Sequence, residues 1–121
     1  MTPTIYSTLG DEKLKQLIDS FYDLIFESEI AHLFNQTEKE TIKDKQFFFL
    51  TQFLGGPPKY IEKYGHPRMR MRHMPHKITH EAKLTWLDCM KQAIDNLDIE
   101  DSLKIAVYNC FPKLADHMVN S

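Results

Sequence analysis

Glycine and cysteine are both scarce in this 121-residue sequence, at four and two residues, and proline is only slightly commoner at six. So few turn formers leave little room for the tight turns of an all-β chain, and the composition leans helical. The two cysteines, Cys89 and Cys110, fall on separate predicted helices and form no CxxC pair. That argues against a disulfide framework or a Cys-rich zinc site, and for two small core residues in a reducing compartment. Long apolar runs are missing as well. The longest is Phe47 to Leu50, and Met1 to Gly10 has neither a basic nor an apolar leader segment. Membrane insertion and secretion are therefore not expected, and a cytoplasmic location is. Excess charge of either sign is also lacking: the formal net charge is −2. Nothing in that total favours nucleic acid or an anionic membrane as a partner.

What remains is the composition of an ordinary soluble globular chain. It is 42% hydrophobic and 26% charged, with a mean hydropathy of −0.43. Its length is that of one domain, taken as residues 1–121. Eight phenylalanines, five tyrosines and one tryptophan supply large surfaces to bury.

Apolar residues at Leu14, Leu17, Ile18, Phe21, Leu24 and Ile25 have the three-and-four spacing of an amphipathic helix over residues 11–28, with Thr8 and Asp11 as its N-terminal signal. Tyr22 lies beside this stripe, and a hydroxyl placed there needs a partner. A second helix, about 38–54, opens on a Thr37/Glu40 capping box and is stopped by Gly55-Gly56-Pro57-Pro58. Its inner face reads Ile42, Gln46, Phe49, Leu50, Phe53. A sealed and unbonded Gln46 amide would cost about 1–3 kcal/mol, so either water reaches that face or the amide has something to bond.

After a proline-punctuated segment with one short turn near Tyr60 to Tyr64, Thr79 caps a third helix with the stripe Ala82, Trp86, Leu87, Met90, Ala93, Ile94, Leu97. A fourth starts at Asp98 or Asp101 and turns Leu103, Ala106, Val107, Cys110, Phe111, Leu114 and Met118 inward. Pro112 interrupts it, which predicts a kink near residues 108–112. Four principal helices and no strand form a bundle that can hold a ligand between its members.

Charge is unevenly distributed along the chain. Lys63 to His80 holds five bases (Lys63, Arg68, Arg70, Arg72, Lys77) and no acid, so this stretch carries +5 and the remainder −7. All the arginines and four of the six histidines (His66, His73, His76, His80) lie in it. A neutral imidazole can ligate a metal, and neighbouring arginines can clamp anionic groups; a solvated basic loop is the plainer alternative. Tyr22, Gln46 and Trp86 come from three different helices, each on or beside an apolar stripe, and each can donate a hydrogen bond. Together with a histidine on an irregular segment, they suggest a pocket with a metal ligand on one side and donors on the other.

The order and spacing of several pieces carry a family resemblance: Phe21-Tyr22, Gln46 through Pro58, Gly65-His66-Pro67, Arg72-His73-x-Pro75, Trp86-Leu87-x-Cys89-Met90 and His117 to Asn120. Over nearly its whole length the chain resembles the truncated haemoglobins of group II. The resemblance implies an all-α fold, a two-over-two helical sandwich around haem b (iron protoporphyrin IX). His73 matches the proximal iron ligand. Tyr22, Gln46 and Trp86 match the polar residues of the distal pocket, and Phe49 and Leu50 its apolar lining. Arg72 matches a haem propionate partner, with Arg70 and Tyr60 as further ones. His76 stands where the family usually has phenylalanine, but the Arg-His-x-Pro pattern falls on His73. Ile42 and Pro112 also depart from the family pattern.

The function implied is reversible binding of oxygen, and of CO, NO or sulfide, at a pentacoordinate iron, with oxygen transport among the roles open to such a protein. Haem-dependent peroxidase or nitric-oxide-detoxifying activity is the alternative. A zinc site at His73, His76 and His80 is a third reading, weakened by the prolines and the lack of Cys or carboxylate partners. A reductase is a candidate partner, and a monomer or weak homodimer the expected state.

Overall fold

The computed structural model describes residues 4–34, 39–65 and 79–118. Among them every regular element is helical. The first, α1, spans Ile5–Leu9 and escapes a periodicity search because it is too short. Its signal is a reciprocal cap: Ser7 N donates to Thr4 Oγ1 at 3.0 Å, and Thr4 N donates to Ser7 Oγ at 2.9 Å. Thr8 belongs to this element, its hydroxyl donating to Thr4 O, and so does not cap the next helix. Gly10 takes that position in its place, with no side-chain cap. The next helix, α2, runs Asp11–Phe26, two residues shorter than expected. Asp11 and Glu12 in its first turn complement the helix dipole. Leu14, Leu17, Ile18, Phe21, Tyr22 and Ile25 are all buried.

A 3-10 turn at Ala31–Phe34 follows, then α3 over Lys39–Phe53. The Thr37 of the expected capping box lies outside the described residues. The double glycine and double proline end α3 where expected, and α4 is the short helix Lys59–Tyr64. Gln52 Oε1 accepts from Ile61 N at 3.0 Å and ties α4 back onto α3. Thr79 caps α5, His80–Asp95, by accepting from Ala82 N. The final stripe divides into α6, Asp101–Tyr108, and α7, Phe111–Met118. Pro112 therefore lies in the first turn of a new helix, where its missing N–H is not needed, and the expected kink is a complete break at Asn109-Cys110.

Helix α2 packs on α3 and α5, while α5 packs on α6 and α7. The result is a sandwich of two long helices over two. Phe21, Phe111, Leu14, Leu17, Ile25, Leu50, Met90, Ile94 and Val107 fill the centre. Thr51 is fully buried as well; its hydroxyl is satisfied by Phe47 O at 2.8 Å. Both cysteines are free; burial pushes their thiols up, which suits packing better than reactivity.

The N-terminus is stitched to the end of α3. Tyr6 N donates to Leu54 O at 2.9 Å, and Gly56 N donates to Thr51 O at 2.8 Å. A Cβ on Gly56 would sit 2.6 Å from the Tyr6 ring and 2.7 Å from Thr51 O, so only glycine fits this crossing. Gly56→Ala is expected to destabilise the fold by about 1–3 kcal/mol, the usual cost of forced overpacking. A urea titration should show a lower midpoint with an unchanged slope.

Candidate ligand pocket

Two helices bring two of the sequence-selected polar groups, Tyr22 and Trp86, onto one phenylalanine. Tyr22 from α2 is 3% exposed, and Trp86 from α5 is 8% exposed. The Phe21 ring lies between them, edge-on to Tyr22 at 4.9 Å and to Trp86 at 5.1 Å. Such edge-to-face pairs hold rings in fixed orientation. Burial pushes the Tyr22 hydroxyl far above the ordinary tyrosine range, so it remains a neutral donor at any physiological pH.

Helix α3 supplies the facing wall. Phe49 and Leu50 are buried, whereas Gln46 is half-buried, so its amide is not sealed from water. Phe53, expected to point inward, is 37% exposed and sits at the rim. It still stacks on Phe49 at 5.6 Å, with ring planes only 13° apart. Tyr60 from α4 is buried against Phe49 at 5.7 Å, edge-on. Phe111 joins the two walls, lying 5.9 Å from both Trp86 and Phe53.

Tyr22, Trp86, Phe49 and Tyr60 thus belong to one continuous aromatic assembly. Phe21 and Phe111 are its connecting members. The sequence marked both as buried, but the stripe pattern says only which residues face inward and not which rings touch. His73, Arg72 and Arg70 lie outside the described residues, as does His76. His80 is exposed at the start of α5. Among the described residues no group of three His, Cys, Asp or Glu side chains could hold a metal ion, and no helix is long and apolar enough to cross a membrane.

An all-helical two-over-two sandwich with such an aromatic assembly in its core is the architecture of a truncated globin. The bacterial-like globin family profile matches residues 4–120. The group 2 truncated hemoglobin YjbI of Bacillus subtilis (strain 168) is 41% identical over 116 residues, covering 95% of this chain and 87% of that protein. Among solved structures, the group II truncated hemoglobin from Bacillus anthracis superposes with a TM-score of 0.91 at 35% identity, covering 100% of this chain and 94% of the other. The truncated oxygen-avid haemoglobin from Bacillus subtilis gives a TM-score of 0.89 at 40% identity, covering 98% and 100%. The chain belongs to the bacterial-like globins, and its relatives and structural neighbours are group II truncated haemoglobins. Membership implies haem-based binding of oxygen or another small ligand.

Proposed function

We propose that the chain holds haem b and reversibly binds oxygen, with CO, NO or sulfide as further ligands of the same site. In this reading His73 would hold the iron, and Arg72, Arg70 and Tyr60 would hold the carboxylates of the haem. Phe49 and Leu50 line the pocket, and Tyr22, Gln46 and Trp86 donate to the ligand. The observation that carries the proposal is the placement of Tyr22 and Trp86, two buried hydrogen-bond donors held on either side of one phenylalanine ring. The described wall fits a flat apolar macrocycle: it is aromatic, its rings are locked by edge contacts, and its polar atoms are neutral donors.

Iron protoporphyrin, when bound, supplies a site for a diatomic ligand. The chain's own residues set how long that ligand stays. A hydrogen bond to a charged or strongly polarised acceptor is worth roughly 1.5–3 kcal/mol. Two of them, from Tyr22 and Trp86, slow release by about two to four powers of ten. The apolar rings around these donors keep water from competing for them. Retention of this kind suits sensing or redox chemistry better than delivery, and redox chemistry requires a reductase as partner.

The test is spectroscopic. Protein reconstituted with haem is expected to take up one equivalent, show a sharp Soret band, and shift it reversibly when oxygen is added to and removed from the reduced sample. Non-stoichiometric uptake, or a spectrum insensitive to oxygen, overturns the reading.

A further inference from the structure

A concave site lies on another face of α3, and none of the aromatic-assembly residues described above lines it. It is a cleft of about 330 Å³ bounded by α2, α3 and α4. Its floor is apolar: Ile18 from α2, with Phe47 and Phe48 from α3. Lys15, Lys43 and Lys63, one from each helix, converge on it. Three acids, Asp19, Glu40 and Asp44, complete a rim that is charged around an apolar floor, and the size is that of a small-molecule site.

The lysines are incompletely neutralised. The Lys43 side chain is only 13% exposed and bonds Asp19 at 3.0 Å, while Asp19 is 65% exposed. An ammonium has three donors, so a largely buried one that serves a single outward carboxylate retains donor capacity toward the cleft. Lys15 and Lys63 have no ion pair among the described residues. Their ammonium groups lie over aromatic rings, Lys15 at 5.2 Å from Phe47 and Lys63 at 4.7 Å from Phe48. Cation–ring contacts at exposed positions are weak and readily exchanged for an oxyanion. The two remaining lining acids, Glu40 and Asp44, are solvent-exposed and bring the formal charge of the lining to zero, so an anion is favoured by position and not by net charge: the Lys15 and Lys63 ammonium groups lie over the rings of the floor.

We infer that this cleft binds a small amphipathic carboxylate. Lys15, Lys43 and Lys63 hold the head group, and Ile18, Phe47 and Phe48 cover the apolar body. At ~30 Å³ per water-sized unit the cleft holds about ten such units, the bulk of an eight-carbon acid. The site is independent of the haem reading, because its groups belong to different faces of the helices.

Octanoate is the probe, titrated into the haem-loaded protein by calorimetry and NMR. One-to-one binding is expected, with cross-relaxation between octanoate methylenes and the rings of Phe47 and Phe48. 1-Octanol should bind at least tenfold more weakly. The double variant Lys15→Ala/Lys63→Ala should weaken octanoate at least tenfold, and Lys15→Arg/Lys63→Arg should retain it. The Soret band and azide affinity should not move. Absence of octanoate binding, equal binding of octanol, an unaffected double alanine variant, or competition between octanoate and azide would each overturn the assignment.

Discussion

Tyr22→Phe is expected to accelerate oxygen release by about ten- to a hundredfold, the equivalent of one strong hydrogen bond at 1.4 kcal/mol per decade. The substitution removes one oxygen atom from a ring held edge-on by Phe21, so the packing that places Trp86 survives. The release rate is therefore the readout, with thermal melting of the variant measured beside it. Adding Trp86→Phe should accelerate release beyond the product of the single effects, because either donor partly substitutes for the other when one is lost. Stopped-flow displacement of oxygen by CO measures all three variants. Unaltered release in Tyr22→Phe would remove this hydroxyl from the ligand's surroundings.

His73→Ala is expected to abolish the stoichiometric Soret band, with added imidazole restoring it. The paired experiment is His76→Ala. This histidine lies three residues further on and is an equally capable ligand by chemistry alone, but loss of the spectrum is expected only at His73. Reversal of that pattern would assign the iron to His76. Haem titration by absorbance, with circular dichroism to confirm helicity, distinguishes a lost ligand from a lost fold.

The long helices were readable because each buries one stripe, and three-and-four spacing survives any detail of packing. Thr79 and the Gly55 to Pro58 stop were readable because caps and breakers act locally. Helix α1 is not: five residues hold too few apolar positions to show a period, and Thr8 reads as a cap unless Thr4 and Ser7 are paired with each other. Phe53 looked buried because its stripe neighbours are, yet at the last residue of α3 nothing among the described residues covers its outer edge completely. Within the pocket, Tyr22, Gln46 and Trp86 stood out as polar groups on apolar faces, a contradiction that the sequence alone exposes. Their roles came from family resemblance. The bridging of Phe21 and Phe111 is tertiary and has no sequence period to betray it.

The stitch between Tyr6 and Leu54 also bears on how the molecule is made. A five-residue helix does not hold its shape alone, since helix nucleation is unfavourable and too few bonds follow it. Helix α1 therefore stays unformed until Leu54 and Gly56 are in place, when both ends of a loop of ~50 residues close together. Helix α1 is thus among the later elements to settle, and the end of α3, just beyond Phe49 and Leu50, acquires its final anchorage in the same event.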